Sequence, residues 1–319
     1  MSAPDVFVHD FALALGTNEH TLEESVAAGR THSATSALFD AGFRRHRTCL
    51  DGESAYDLAR RAVTPIAPAA EGAGAIIYAT CLPLNGNIGD EARFRETRDV
   101  KHVMDFPVSH LQADFHLDGA AAIGLGQQAC TSMLGSMRIA KALLRDEPEL
   151  SRILCVSSDR FPAGAEYEQA YNLISDGAAA CVVSLQPRGY RIVACHQLTN
   201  GALAQASDDE TVGTYFSYTA RLLRETLAKA KLTAKQIDWV VPQNTHSKAW
   251  TILARLLGLS EERIYFKTIS EIGHVISADN VANLMKLERE VAIPSGARLL
   301  LPMAGFGLNW QAVILEKVS

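Results

Sequence analysis

Apolar residues along the chain follow two patterns, and together they predict alternating helices and buried strands. Recurrence every three or four residues, as in 132–144, is typical of a helix with one buried face. Short unbroken apolar runs, such as 75–80, are typical of strands covered on both faces. The same patterns predict strands at 152–158, 175–184, 237–242, 298–303 and 311–315, and helices at 22–28, 54–63, 218–230, 247–257 and 277–290. The chain is therefore predicted to be an α/β protein.

The order of these elements repeats along the chain. Helix, strand, loop, helix, strand, turn and strand occur twice, and the first central strand recurs from about Ile76 to about Trp239. Side-chain identity between the copies is low, so the repeat is one of element order, and we predict two similar halves, residues 1–187 and 188–319. Residues 83–106 interrupt the first half with many charges and are predicted to be a loop that forms a lid or a partner contact.

Cys130 lies where a stretch of small residues, 120–128, meets the helix predicted from Thr131. Unpaired N–H groups and the positive end of the helix dipole lower the pKa of a thiol at such a position. This placement favours a nucleophilic cysteine. The alternative is a small buried cysteine that packs as an apolar side chain.

Composition and charge exclude several classes of protein. In 319 residues, 48% are hydrophobic and 21% charged, which is ordinary for a globular enzyme. The net charge of −6 argues against non-specific nucleic-acid binding. We expect a cytoplasmic protein without a membrane segment, because neither a signal-peptide pattern nor 18 consecutive apolar residues occur. The six cysteines form no CxxC pair, so reduced thiols are expected, with no disulfide framework and no metal site.

A basic cluster at residues 44–47 contains Arg44, Arg45 and Arg47 around a histidine. Guanidinium groups suit phosphate oxygens, so Arg44 and Arg45 are candidates for binding the phosphates of a substrate. A solvated loop is the alternative for such a run of charge.

Several motifs occur in one order across nearly the whole chain, and together they resemble the ketoacyl-ACP synthase III branch of the thiolase superfamily. They are Gly-Phe-Arg-Arg-His at 42–46, the small run that ends in Cys130, Ser-Asp-Gly-Ala at 175–178, Val-Val-Pro-Gln-Asn at 240–244, Gly-His at 273–274 and Ala-Gly-Phe-Gly at 304–307. The resemblance implies a thiolase-like α/β fold, in which two duplicated αβαβα halves form five layers. It also implies a homodimer, with strands near 153–158 extending one sheet across the interface.

The same resemblance implies that an acyl thioester of coenzyme A or acyl carrier protein acylates Cys130, with no further cofactor. It places the oxyanion hole at the backbone N–H groups of Cys130 and Phe306. Family condensing enzymes carry His where this chain has Gln243, and Asn where it has His274. A side branch of the family, which resembles O-acyltransferases, shares Gly273-His274 followed by a run like Ser277-Ala-Asp-Asn280.

His274 is the first candidate for the general base, because the family brings its loop to the active cysteine. Asp279 or Asn244 would orient the ring, although Asp279 has capping of the following helix as its alternative. His246 is the second candidate, with a structural role as its alternative.

The sequence therefore predicts a ketoacyl-ACP synthase III-like acyltransferase of secondary metabolism or of fatty-acid or polyketide biosynthesis. One alternative is a 3-oxoacyl synthase, in which Gln243 or Asn244 pairs with His274 to bind the carbonyl of a malonyl-type acceptor. The other alternative is a non-catalytic partner subunit of a ketosynthase heterodimer.

Overall fold

The computed structural model describes residues 3–318, which form thirteen strands and eleven α-helices. The strands are β1 (Phe7–Leu15), β2 (Asn18–Thr21), β3 (Arg45–Thr48), β4 (Ala75–Ala79), β5 (Ala121–Leu125), β6 (Arg152–Asp159), β7 (Glu168–Gln169), β8 (Asn172–Leu173), β9 (Gly177–Ser184), β10 (Tyr190–Thr199), β11 (Trp239–Val240), β12 (Arg298–Gly305) and β13 (Asn309–Lys317). The helices are α1 (Leu22–Ala27), α2 (Thr35–Ala41), α3 (Ala55–Val63), α4 (Ala67–Ala70), α5 (Glu91–Thr97), α6 (Pro107–Asp114), α7 (Ser132–Asp146), α8 (Asp208–Ala230), α9 (Ser247–Leu257), α10 (Ile269–Ile272) and α11 (Asp279–Glu290).

Nine strands form one mixed sheet in the order β11-β12-β13-β10-β1-β9-β6-β4-β5. The first half contributes β1-β9-β6-β4-β5, and the second half contributes β10-β13-β12-β11. In each set the first strand of the half lies at the centre of the sheet, the last strand lies next to it, and the remaining strands follow outward. Between residues 3 and 318, two residue pairs join the sets, Phe7 with Arg191 and Val8 with Tyr190. In the second half a parallel bridge between Val240 and Ile264 takes the place of β5. The duplicated plan is thus visible in the topology, and the proposed division at 187 and 188 falls between β9 and β10.

Five layers follow from the alternation of side chains along the strands. Ile77 and Cys155 face a central core that contains α7 and α11, whereas Ile76 and Leu154 face α3 and α6 on the outside. In the second half, β12 and β13 cover the other side of the central core and pack α8 on their outer face. The predicted five-layered, thiolase-like α/β arrangement is confirmed.

The start of α7 lies deep in the molecule because it is sandwiched between the two halves of the sheet. Every residue from Ser132 to Met137 is buried. A Cβ at Gly135 would lie 1.8 Å from Oε1 of Gln128, so a side chain there would displace the Gln128 amide. This packing brings Cys130, two residues before the helix, to the boundary between the two halves.

Three of the predicted elements differ from those observed, and some observed strands were not predicted. Residues 83–106 are not a simple loop, because they contain α5 and two short 3-10 turns. The helix predicted from 218 begins at Asp208, and the strand predicted at 237–242 is limited to β11. Strand β5 was not predicted, because its small and largely exposed residues show no alternating pattern. In the described part of the chain, no helix is long and apolar enough to span a membrane.

The prediction that residues 153–158 extend a sheet across a dimer interface is wrong, since β6 pairs with β4 on one side and β9 on the other. The outermost strand of the first half is β5, which pairs with β4 alone among the described strands. Exposed apolar residues of the 83–106 segment lie near it: Phe106, 45% exposed, immediately precedes α6, which packs on β5. An unpaired edge beside apolar surface favours association through further strand pairing. We propose a twofold homodimer in which β5 pairs with its copy.

Sedimentation at micromolar concentration, a usual order for such assays, should therefore give a dimer. Ala122→Lys with Gly124→Lys should shift it towards monomer, because like charges face each other across an antiparallel pair. A side chain at Gly124 meets no atom within 4 Å, so the fold tolerates the change. Gly201→Lys, at an equally open position in the second half, is the control. A wild-type monomer, or an unaffected dimer in the double variant, would contradict the proposal.

Candidate active site

Cys130 lies in the 3-10 turn Ala129–Thr131 that leads into α7, as the sequence predicted. The turn begins with a positive φ of 47° at Ala129. Residues of the second half close over it: a Cβ on Gly305 would lie 2.8 Å from the backbone nitrogen of Cys130. The close approach explains the glycine and brings the 304–307 turn against the thiol. Phe306 lies on the wall of the same cavity, and its oxyanion role stays a prediction.

His274 is held beside Cys130 by the first half of the chain. Its N–H donates to the carbonyl of Leu173 at 2.8 Å, and its own carbonyl accepts from the N–H of Ser175 at 2.8 Å. Gly273 takes a φ of 63°, and a side chain there would lie 2.7 Å from the Leu173 oxygen. The imidazole and the Cys130 sulfur line the same cavity, and each shifts the pKa of the other. Motifs 175–178 and 273–274 therefore meet at the site.

The carboxylate of Asp279 orients the ring of His274. Nδ1 of His274 donates to Oδ2 of Asp279 at 2.5 Å. The same carboxylate accepts from the backbone N–H groups of Asn244 at 2.7 Å and Val275 at 2.6 Å. Asp279 is fully buried, so these donors replace water around its charge. With Nδ1 bound to Asp279, Nε2 is the nitrogen available to the cysteine.

The electrostatics of this group favour a thiolate next to an imidazolium. The pKa of Cys130 is lowered by the neighbouring Cys81 thiol and by His274, despite burial. Burial alone would lower the pKa of His274, but the negative charge and hydrogen bond of Asp279 outweigh it and raise that pKa. Both shifts favour the proton on His274 rather than on Cys130.

Asn244 supports the site in two ways: its backbone N–H donates to Asp279, and its side-chain amide holds the loop that carries His274. Its side-chain Nδ2 donates to Thr268 Oγ1 at 2.9 Å and to the carbonyl of Gly273 at 2.7 Å, and its Oδ1 accepts from Asn283 at 2.9 Å. The amide is thus committed to the loop that carries His274. Of the two roles predicted for Asn244, the structure supports orienting the ring, through its N–H on Asp279, rather than binding a substrate carbonyl.

Gln243 lines the cavity and is oriented by the 304–307 turn. Its Oε1 accepts from the N–H of Ala304 at 2.5 Å, and Trp250 donates to its backbone oxygen at 3.2 Å. Because Oε1 is engaged, Nε2 is the polar group left for a ligand. Gln243 therefore offers a neutral donor near Cys130 and His274, and it cannot act as a base.

His246 also lines the cavity, but it caps a helix. It precedes α9, and its Nδ1 accepts from the N–H of Lys248 at 3.3 Å. Burial and the neighbouring Lys248 charge lower its pKa. This cap fits the structural role that the sequence offered as the alternative, and the role of His246 as a base stays a prediction.

Arg44 and Arg45 do not line the cavity. Arg44 donates to the carbonyl oxygens of Phe39 and Phe43, at 2.7 and 2.6 Å, and lies over the Phe39 ring. Arg45, whose side chain is exposed on strand β3, pairs with Glu19 at 2.5 Å. Their phosphate role stays a prediction. Among the described residues that line the cavity, the one lysine or arginine is Lys248.

The cavity that contains Cys130 and His274 has a volume of about 330 Å³ and a mostly apolar wall. Its aromatic members come largely from α8 and the 304–310 segment, and they are Tyr215, Phe216, Phe306 and Trp310, together with Tyr171. A narrow apolar cavity with a nucleophile and a few polar groups fits an acyl chain or the flexible arm of a thioester.

Two residues at the site, Lys248 and Cys81, were not predicted from the sequence. Lys248 carries no local pattern beyond its place in a helix. Cys81, whose sulfur is 3.9 Å from that of Cys130, was interpreted only as one of six reduced thiols. Its position directly after a buried strand was a signal, since residues at strand ends often form sites.

Two family models match the chain in tandem. Residues 126–201 match 3-oxoacyl-[acyl-carrier-protein] synthase III, and residues 227–317 match the C-terminal part of the same enzyme. The synthase III of Chlamydia caviae is 28% identical over 220 residues, which are 60% of this chain and 65% of that protein. The match thus spans less than two thirds of that relative. The synthase III of Rhizorhabdus wittichii is 26% identical over 86% of this chain and 88% of its own length.

Solved structures share the fold over nearly the whole chain. The acyltransferase ChlB3 superimposes with a TM-score of 0.83, at 20% identity, over 99% of this chain and 98% of its own. The synthase FabH of Pseudomonas aeruginosa gives 0.81, also at 20% identity, over 99% of each chain. With the tandem family match, these findings show that the chain belongs to the ketoacyl-ACP synthase III-like branch of the thiolase superfamily.

His274→Ala should slow acylation or transfer at Cys130 by roughly a hundredfold or more, the usual worth of a positioned acid or base. His246→Ala, which removes a histidine from the same cavity, is the matched control and should cost far less. The measurement is the rate of covalent loading from an acyl thioester, followed by intact mass. A large loss only with His246→Ala would make His246 the base.

Proposed function

We propose that the protein is an acyltransferase that carries its acyl group on Cys130. The donor is an acyl thioester of coenzyme A or acyl carrier protein, and the acceptor is a small molecule with a hydroxyl, amine or activated carbon. The observation that carries the proposal is the buried hydrogen bond between His274 and Asp279, in the cavity that also contains Cys130.

In the first step the Cys130 thiolate attacks the carbonyl carbon of the donor thioester. The oxygen gains negative charge, and the N–H groups of Cys130 and Phe306 are proposed to bind it. Collapse of the adduct breaks the bond between the carbonyl carbon and the donor sulfur. The protonated His274 gives its proton to the leaving thiolate, so that Cys130 becomes a thioester and His274 becomes neutral.

In the second step neutral His274 takes the proton of the acceptor through Nε2. The acceptor attacks the Cys130 thioester, and the thiolate of Cys130 leaves. Asp279 stabilises the imidazolium that forms and holds the ring in the tautomer that this step needs. The steps use only the acyl thioester, the acceptor and side chains of this chain.

Gln243 and Asp279 favour transfer over decarboxylative condensation. Condensation with loss of carbon dioxide is best served by two neutral donors on the malonyl carbonyl, which hold the enolate. Here Asp279 keeps a proton on His274, whereas Asn244 is engaged elsewhere. In the resting site the donor near Gln243 is therefore the charged imidazolium of His274, whereas condensation is best served by a neutral donor.

A condensing enzyme remains the second candidate, because Gln243 and His274 line one cavity with Cys130. In its protonated form His274 donates from Nε2, and it can then bind one carbonyl together with Nε2 of Gln243. A non-catalytic subunit is disfavoured by the retained Cys130 and its lowered pKa.

Asp279→Asn separates the two candidates. An acyltransferase should lose much of its rate, roughly tenfold or more, because the amide no longer raises the basicity of His274. A condensing enzyme should tolerate the amide. Loading across a panel of acyl thioesters and carbon dioxide release from malonyl-CoA are the measurements, with Cys130→Ala as the unloaded control. Carbon dioxide release with full activity in Asp279→Asn would contradict the acyltransferase.

The phosphate end of the donor is proposed to meet Lys248, which lies on the cavity wall. Lys248→Gln should raise the donor KM a few-fold with little change in kcat, since an exposed charge pair is worth up to about 1 kcal/mol, or roughly fivefold. Arg44→Glu with Arg45→Glu tests the position that the sequence favoured. A raised KM only in the double arginine variant would place the phosphate contact at β3.

A further inference from the structure

The thiol of Cys81 lies beside the nucleophile, with 3.9 Å between the two sulfur atoms. Cys81 follows β4 in the first half, whereas Cys130 precedes α7, so the contact joins two separate segments. The acyl-transfer steps above do not use Cys81. A second thiol touching the reacting sulfur therefore requires an explanation of its own.

A buried carboxylate holds Cys81 in this place. Asp159, at the end of β6 and 1% exposed, accepts from the N–H of Cys81 with both oxygens, at 2.9 and 3.0 Å. It also accepts from the N–H of Leu82 at 2.9 Å and from Nδ2 of Asn85 at 3.2 Å. Such an anchor fixes the backbone of Cys81, so its sulfur is positioned and not merely packed against Cys130.

The positions of the nearby protons assign which of the two sulfur atoms is the hydrogen-bond donor. His274 holds the proton of Cys130, so the Cys130 sulfur is an acceptor. The pKa of Cys81 is raised by its contact with Cys130, by burial and by the charge of Asp159. Cys81 therefore keeps its proton and is the donor of the pair.

We propose that Cys81 is a positioning residue for the nucleophile: its S–H donates a hydrogen bond to the Cys130 thiolate and stabilises the deprotonated sulfur. The inference rests on the proposed function only in taking Cys130 as the nucleophile. A neutral thiol suits this place, because it adds no charge beside the thioester once Cys130 is acylated. Without the donor, the buried thiolate loses part of its solvation, and its pKa rises.

Alkylation of Cys130 by iodoacetamide across a pH series tests this directly, because only the thiolate reacts. The reduced full-length protein is used, and peptide masses separate Cys130 from the other cysteines. In Cys81→Ala the midpoint of the profile should move to higher pH. At a fixed pH below both midpoints, alkylation should slow roughly tenfold for every pH unit by which the midpoint rises.

Cys81→Ser keeps a donor and should retain a profile near that of the wild type. Cys49→Ala removes a thiol on the outer side of the sheet and should change nothing at Cys130. If Cys81→Ala does not fold, Cys81→Val fills the space without a donor and replaces it.

Two results would overturn the inference: a Cys81→Ala profile that coincides with the wild type, or equal shifts in the Ala and Ser variants, which would indicate packing alone. Failure of the proposed function would give a different result in the same alkylation experiment. In that case Cys130 of the wild-type protein shows no enhanced reactivity below the ordinary thiol pKa.

Discussion

The site depends on the burial of one carboxylate, that of Asp279. A charge taken out of water must be met by donors, and here backbone N–H groups and the ring of His274 meet it. The loops that supply those donors are therefore drawn together. Asn244 then ties the same loops through its side chain to Thr268 and Asn283. The result is a ring of fixed orientation next to the thiol.

The layered fold explains why the parts meet. The central layer holds α7 and α11, which are related by the duplication, and both begin near the site: Cys130 precedes α7 and Asp279 starts α11. One half thus provides the nucleophile and the other the base, each at the start of its own central helix. The positive ends of both helix dipoles favour the negative charges found there.

A second buried carboxylate serves the first half in a similar way. Asp159 anchors Cys81, and burial raises its pKa to about 7. Cys130 consequently has a positioned partner on either side, the imidazole of His274 and the thiol of Cys81. The two partners differ in charge, so one removes the proton and the other solvates the anion that remains.

The sequence by itself determined the α/β class, the duplicated order of elements and the position of Cys130 before a central helix. These features depend on local periodicity and on small residues that permit close packing, both of which are visible in the chain. It also pointed to His274 and Asp279, through a resemblance that carries long-range information. Only the tertiary structure decided which edge strand is free, that His246 caps a helix, that the Asn244 amide is engaged and that Cys81 touches Cys130. Those facts depend on contacts between residues distant in the sequence, and no local pattern encodes them.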